Sequence, residues 1–415
     1  MVAEVIAIGD ELLIGQVVNT NASWLGEQLS HVGIPLRCVT TVGDRHDDIL
    51  SSLAAAWARV ELVLLTGGLG PTHDDVTKKV VAEFIGARRM VTDEKVLQHV
   101  QELFAKRGVV MPAVNVEQAY VPEGAQVLWN EIGTAPGLLF EKDGKHGVVL
   151  PGVPAEMKNI FSGPLLPRLR GWAGEVIIRH RTIRTHGIGE SALAELLAPV
   201  SELEQFGKLA FLASLSGVNV RISVTGRTAE EVEHAVRQAE ARILAKAGKH
   251  VYGYDNESLE EVVGRKLREH KATLAVAESC TGGLIAHRLT NIPGSSDYLA
   301  CGLVTYSNAS KTALLDVPEE VIAQHGAVSE ACVRAMAVGV RQRCGTDYGL
   351  ATTGIAGPAG GSADKPVGLV WAAVATPEKV TARHVIYTTD RLFNKERFST
   401  LALSLLYRAL PEARA

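Results

Sequence analysis

A serine placed between a strand and a helix can act as a nucleophile, and Ser279 stands at such a place. The apolar run Thr273–Ala277 stops at Glu278, Ser279-Cys280-Thr281-Gly282-Gly283 follows, and the helical pattern L-I-A-H-R-L comes next. That order leaves backbone N–H groups at a helix start open to an anion or an oxyanion. It also presents a hydroxyl on the turn. A serine needs a base to take its proton. The segment T-Y-S-N-A-S-K offers Lys311, with Tyr306 shortly before it. A lysine in an apolar or cationic setting has its pKa lowered toward the range of a general base, and serine with lysine is an alternative to the serine–histidine–acid triad. The plainer alternative is a well-capped helix start and a solvated lysine. Cys280 is a rival nucleophile, since a helix start lowers a thiol pKa. It stands one position on, however, and so points elsewhere on the turn.

A second chemistry-bearing loop lies near the N-terminus. Thr66-Gly67-Gly68-Leu69-Gly70-Pro71-Thr72-His73-Asp74-Asp75 follows an apolar strand and precedes a helix. Glycines and a threonine in that position make a phosphate cradle. Paired aspartates suit a hard divalent cation bridging phosphate oxygens. The alternative is a glycine-rich turn whose acids favour the helix dipole. Gly9-Asp10-Glu11 ends the preceding strand in the same way.

The elements that position these loops alternate. Val2–Ile8, Ile34–Thr41 and Leu62–Leu65 read as strands, with helices capped at Asn19 and over Asp47–Val60. Strands apolar throughout and separated by helices indicate a parallel sheet covered on both faces, with functional loops at the strand C-termini. From about Trp172 to Gly248 the pattern breaks into a small α+β module: strands Val176–His186 and Val218–Thr225, helices Glu190–Leu197 and Ala229–Ala247. Lys249–Glu257 reads as a linker. An amphipathic helix Leu259–His270 then opens a last α/β domain. Its strands are the runs before Ser279 and before Tyr306, then Tyr348–Thr352, Val367–Ala375 and Val380–Tyr387. Gly354–Gly361 is a glycine-rich loop between two of them that can approach a ligand closely. The expected domains are 1–170, 171–250 and 256–415.

Of the 415 residues 47% are apolar and 21% charged, the balance of a globular protein. A net charge of −4 argues against a protein that coats nucleic acid. The five cysteines form no C-x-x-C pair and the 13 histidines no metal-spaced cluster. The N-terminus lacks a basic n-region, and no apolar run approaches the ~18 residues of a membrane span. A cytoplasmic protein with reduced thiols is expected.

The motifs A-E-S-C-T-G-G, Y-S-N-A-S-K and A-T-T-G-I-A-G-P (Ala351–Pro358), in this order, resemble the nicotinamide-nucleotide amidase domain of the CinA/PncC family from about Ser258 onward. The resemblance implies cofactor-free hydrolysis of nicotinamide mononucleotide, with Ser279 as nucleophile and Lys311 and Tyr306 assisting. It implies a substrate held by Thr281, Gly282, Gly283, Gly354, a threonine (Thr352 or Thr353) and a late arginine (Arg391 or Arg397). Near the N-terminus, G-D-E-L-L-x-G, T-G-G-L-G-P-T-x-D-D-x-T, G-T-A-P-G (Gly133–Gly137) and L-P-G-V-P-x-E-M (Leu150–Met157) resemble the N-terminal CinA domain, related to the MoaB/MogA fold. This second resemblance implies hydrolysis of ADP-ribose at its pyrophosphate with a divalent metal (Mg, Mn or Co). The implied site is Asp10, Glu11, Gly67, Gly68, Gly70, Thr72, Thr134 and Glu156, with Asp74 and Asp75 on the metal. A pterin- or nucleotide-binding module without catalysis is the alternative. The family also implies a KH-like middle module and a homodimer. Gly187-Ile188-Gly189-Glu190 lacks the basic G-x-x-G clamp of an RNA-binding KH domain, so nucleic acid is not an expected partner. Both implied activities consume pyridine-nucleotide breakdown products, as in salvage.

Overall fold

The computed structural model describes residues 1–70, 76–174, 176–214, 217–388 and 390–411. The chain divides into two compact units, Met1–Arg179 with Thr225–Glu233, and His180–Val224 with His234–Ala415.

The first unit holds β1 (Ala3–Ile8), α1 (Asp10–Leu13), α2 (Thr20–His31), β2 (Leu36–Val42), α3 (His46–Arg59), β3 (Leu62–Thr66), α4 (Thr77–Ile85), β4 (Met90–Thr92) and α5 (Glu94–Lys106). It continues through β5 (Tyr120–Pro122), β6 (Gln126–Leu128), β7 (Gly137–Lys142), β8 (Lys145–Leu150), α6 (Pro154–Ile160) and α7 (Leu166–Ala173). Six strands form one sheet in the order β2-β1-β3-β8-β7-β6. The first four are mutually parallel, and β7 alone runs against its neighbours, antiparallel to β8 (their hairpin being the antiparallel pair) and to β6. The parallel reading therefore holds for the strands that are apolar throughout. The antiparallel pair arises at the tight turn Asp143-Gly144, both in the left-handed region. β1 and β3 are buried along their whole length. One core lies on each face of the sheet, around Leu25, Leu64 and Phe161 on one side and Leu53, Leu65 and Phe140 on the other.

The middle module begins with β9 (Ile177–Thr185), α8 (Glu190–Leu197), α9 (Ser201–Glu204), β10 (Lys208–Ala213), β11 (Val218–Gly226), α10 (Ala229–Ala247) and β12 (Val251–Tyr254). Its sheet order is β10-β11-β9-β12, the α+β arrangement expected. The stretch read as a linker, Lys249–Glu257, is a correction: β12 pairs antiparallel with β9. Gly253, Asp255 and Asn256 signal a turn, but Val251 and Tyr252 are buried, and burial outweighs that local signal.

The last domain comprises α11 (Leu259–Glu269), β13 (Leu274–Glu278), α12 (Leu284–Thr290), β14 (Leu299–Val304), α13 (Asn308–Leu315), α14 (Glu319–His325), α15 (Glu330–Cys344), β15 (Tyr348–Gly354), β16 (Leu369–Ala375), β17 (Val380–Ile386) and α16 (Arg391–Ala409). Ser258 and Glu261 form a capping box on α11. The sheet order is β14-β13-β15-β16-β17, parallel through the first three strands and antiparallel after them. The Ser279 turn thus leaves the C-terminal end of a buried parallel strand, where the loops after β14 and β15 also emerge. Among the described residues no helix is long and apolar enough to cross a membrane.

α15 packs on β15 through glycine: a Cβ on Gly349 would lie 2.1 Å from the Ala337 carbonyl oxygen. Gly349→Ala is expected to destabilise the second unit by about 1–3 kcal/mol. Urea denaturation reads this as a lowered midpoint, and an unchanged midpoint would mean that α15 yields freely.

Candidate active site

Glu278, at the end of β13, is 1% exposed. Its carboxylate accepts hydrogen bonds from the amides of Gly283 (2.9 Å), Ile285 (3.1 Å) and Ala286 (2.9 Å). A buried carboxylate thereby caps the first turn of α12, favoured by charge and dipole alike. Gly282 and Gly283 take φ of +62° and +95°, which reverses the chain between strand and helix. The Gly282 amide donates to the Ser279 carbonyl (3.1 Å). This corrects the expectation of free amides from Cys280 to Gly283: those of Gly282 and Gly283 are engaged, and the Cys280 and Thr281 amides flank the Cys280 sulfur.

Ser279 is 8% exposed and tied to the neighbouring strand, its amide donating to the Thr352 carbonyl (3.1 Å). The Thr281 and Thr352 hydroxyls are hydrogen-bonded at 2.8 Å. Lys311 comes from α13, whose start is fixed by reciprocal Ser307 and Ser310 caps. Its side chain is 1% exposed, and Nζ donates to Ser279 Oγ (3.1 Å), Thr305 O (2.9 Å) and Tyr306 O (3.4 Å). Burial lowers the Lys311 pKa from its ordinary value, because an ammonium so far from water loses hydration. Burial acts on Cys280 in the opposite sense: the thiol sits in the hydrophobic core and is pushed up to about 12. Cys280 is therefore held protonated, and Ser279 is the nucleophile candidate that faces a base.

A cleft opens over Ser279, Lys311, Tyr306, Asn308, Thr353 and Arg391. Tyr306 reaches Lys311 only through its carbonyl. Its phenol is 61% exposed and accepts from Arg391 Nη2 (3.1 Å). Among the described hydrogen bonds none joins the Tyr306 hydroxyl to Lys311. Arg391 also donates to the Gly357 carbonyl (2.7 Å), from the first turn of α16, where Asp390 caps the Leu392 and Phe393 amides. Arg397 lies elsewhere, between the rings of Phe393 and Tyr387. Arg391 is thus the late arginine of the cleft. Thr353 lines the cleft while its hydroxyl donates to the Ala327 carbonyl (2.8 Å). A Cβ on Gly354 would meet the Leu369 carbonyl oxygen at 2.5 Å, so only glycine fits there.

In the first unit, Gly67 (φ +114°) and Gly68 (φ +64°) turn the chain after β3, and a Cβ on Gly67 would lie 2.2 Å from the Ile8 carbonyl oxygen. Glu11, Asn21, Thr66 and Gly152 line one cavity at the strand ends. Asp10 instead pairs with Asp44: each backbone amide donates to the other's carboxylate. Glu156 accepts from Asn130 Nδ2 (2.7 Å) and packs under Gly133, beside the half-buried Thr134, so it supports that loop. Gly70 is exposed. Thr72, Asp74 and Asp75 lie outside the described residues. Adjacent aspartates are the hard donors a Mg-type ion takes, and among the described residues no three metal-binding side chains gather.

Family models match three consecutive stretches: "Probable molybdopterin binding domain" over residues 4–171, "Damage-inducible protein CinA KH domain" over 180–253 and "CinA C-terminal domain" over 256–410. A CinA-like protein of Chloroherpeton thalassium is 45% identical over 419 residues, covering 99% of both chains. One from Salinibacter ruber is 45% identical over 412 residues, covering 99% of this chain and 100% of its own. This chain belongs to the CinA family. The crystal structure of the CinA protein from Thermoplasma acidophilum is 34% identical, covers 40% of this chain and 97% of its own, and has a TM-score of 0.38.

Three residues of this CinA chain's cleft region receive no role when the motifs are read from the sequence. Asn308 is the first residue of α13 and lines the cleft. Glu278 ends an apolar strand, and a carboxylate there ahead of a glycine turn is the cue for a buried helix cap. Lys395 lies one turn beyond Arg391 on the same helical face, and its Nζ would be 3.7 Å from a Cβ on Gly282.

The buried Lys311 makes folding depend on pH. With its folded pKa below the unfolded 10.5, the cost of burying the ammonium is full below the folded pKa and vanishes above 10.5. Wild type is therefore expected to gain stability relative to Lys311→Met as pH rises from neutrality toward 10.5, measured by denaturant titration across pH. A pH-independent difference would mean that Lys311 is not desolvated.

Proposed function

We propose that the Ser279 cleft hydrolyses the carboxamide of nicotinamide mononucleotide to nicotinate mononucleotide and ammonia. The observation that carries the reading is the 3.1 Å bond between Ser279 Oγ and the buried Lys311 Nζ. Neutral Lys311 takes the Ser279 proton as Oγ bonds to the carboxamide carbon. The oxygen that gains charge calls for donors from the Ser279 turn, a contribution of about 3 kcal/mol per donor in comparable sites. Lys311 returns the proton to the leaving nitrogen, the C–N bond breaks, and ammonia departs from an acyl-serine. Water, deprotonated by Lys311, then adds to the acyl carbon, and Ser279 leaves with the proton. Arg391, oriented by the Tyr306 phenol and the Gly357 carbonyl, grips the phosphate. The family membership supports the reading, which makes the chain an amidohydrolase of pyridine-nucleotide salvage.

Ser279→Ala is expected to lower ammonia release by about 10³-fold or more, without added metal, while Cys280→Ala retains it. Arg391→Ala should chiefly raise KM. Because the base must be neutral, kcat/KM should fall as pH drops through the lowered Lys311 pKa. Full turnover by Ser279→Ala would refute the assignment.

For the first unit we propose hydrolysis of ADP-ribose at its pyrophosphate, favoured by the Gly67–Gly68 turn beside a cavity where Asn21 Oδ1 is buried without a hydrogen-bond partner. Asp74 and Asp75 would hold a divalent metal, which supplies charge to offset the phosphate oxygens. Glu11 and Thr66 would orient the substrate from the strand ends. AMP release from ADP-ribose is expected to require Mg, Mn or Co and to be lost in Asp74→Ala. Binding without product would identify a nucleotide- or pterin-binding module instead.

A further inference from the structure

A second, smaller cavity opens in the second unit where the loop after β9 meets β17 and α16. His186 and Gly187 come from that loop, Arg383 from β17, and Ser404 and Arg408 from the last turns of α16. The two arginines converge: a Cβ on Gly187 would lie 3.0 Å from Arg408 Nη2 and 3.9 Å from Arg383 Nη1. No carboxylate among the described residues pairs with either guanidinium. Two like charges beside one glycine with no counter-ion form an anion-binding arrangement.

His186 is an independent observation at the same place. It is 0% exposed, lines the cavity, and neither ring nitrogen has a hydrogen-bond partner. Its ring is held edge-on by Tyr252 and Tyr407. A buried imidazole with both nitrogens unsatisfied calls for a partner. Burial, Arg408, His250 and Arg383, in that order, push His186 down to about 3, and burial with Arg383 lowers Arg408, as a cavity of uncompensated positive charge requires. Val385, Leu401 and Leu405 supply an apolar wall to the same space.

We propose that this cavity binds a phosphate-bearing anion, with Arg383 and Arg408 donating to its oxygens, His186 donating from the floor and the apolar wall taking an organic substituent. The site is separate from the Ser279 cleft. α16 carries Arg391 at one end and Arg408 at the other, about 25 Å apart at 1.5 Å per residue.

Calorimetric titration of the full chain with inorganic phosphate, and in parallel with AMP, tests this. Wild type and Arg391→Gln should differ only at the amidase cleft. The double variant Arg383→Gln/Arg408→Gln should lose one bound anion per chain, or bind it about tenfold or more weakly. Tighter binding of AMP than of phosphate would identify a phosphate ester as the ligand, and equal binding a free phosphate. A double variant with wild-type stoichiometry and affinity would overturn the proposal, as would a wild type that binds neither probe. The comparison does not use turnover, so failure of the amidase reading leaves its outcome intact.

Discussion

The last domain turns on one buried carboxylate. Glu278 takes the amides of Gly283, Ile285 and Ala286, and this fixes where α12 begins, how sharply the chain reverses and where Ser279 sits. Without it, three amides at the mouth of a hydrophobic core would lack acceptors, and a charge 1% exposed would lack donors. The same interaction constrains the chemistry. A negative helix cap spends the amides of the α12 first turn on the protein itself and leaves none of these three to a ligand.

A second constraint is the burial of Lys311. Its three acceptors are one hydroxyl and two backbone carbonyls, with no carboxylate among them. A carboxylate partner would hold the amine protonated, whereas here burial, with no opposite charge beside it, lowers the pKa. The rigid caps of α13 keep the amine in line with the serine. The first unit uses a different device at its strand ends, where left-handed glycines bring backbone against backbone beside a cavity.

Much of this was legible in the sequence. The run Leu274–Glu278, the glycine pair and the spacing to Lys311 give the strand, turn, helix and base because each depends on local preference and burial. The choice between Arg391 and Arg397 was not legible. Both belong to α16, and only the packing of Phe393 and Tyr387 around Arg397 shows which one leaves the cleft. The direction of the Tyr306 phenol was not legible for a similar reason, since proximity in sequence to Lys311 does not fix it. β12 was read as a linker because its turn-forming residues dominate a short window, while its pairing partner β9 lies far away in the chain.

That last point bears on how the chain can be divided. β12 covers the edge of the middle sheet, and Tyr407 of α16 donates to the Val251 carbonyl (3.1 Å). A cut after Tyr254 leaves β12 on β9 but takes the Tyr407 donor away from the Val251 carbonyl, whereas a cut before Val251 leaves β9 with a row of unpaired backbone groups, a template for association between chains. A fragment that starts before Val251 would carry that strand away with nothing to pair. The middle module is therefore tied to the last domain at the very strand that closes its own sheet, through the Tyr407 hydroxyl on the Val251 carbonyl.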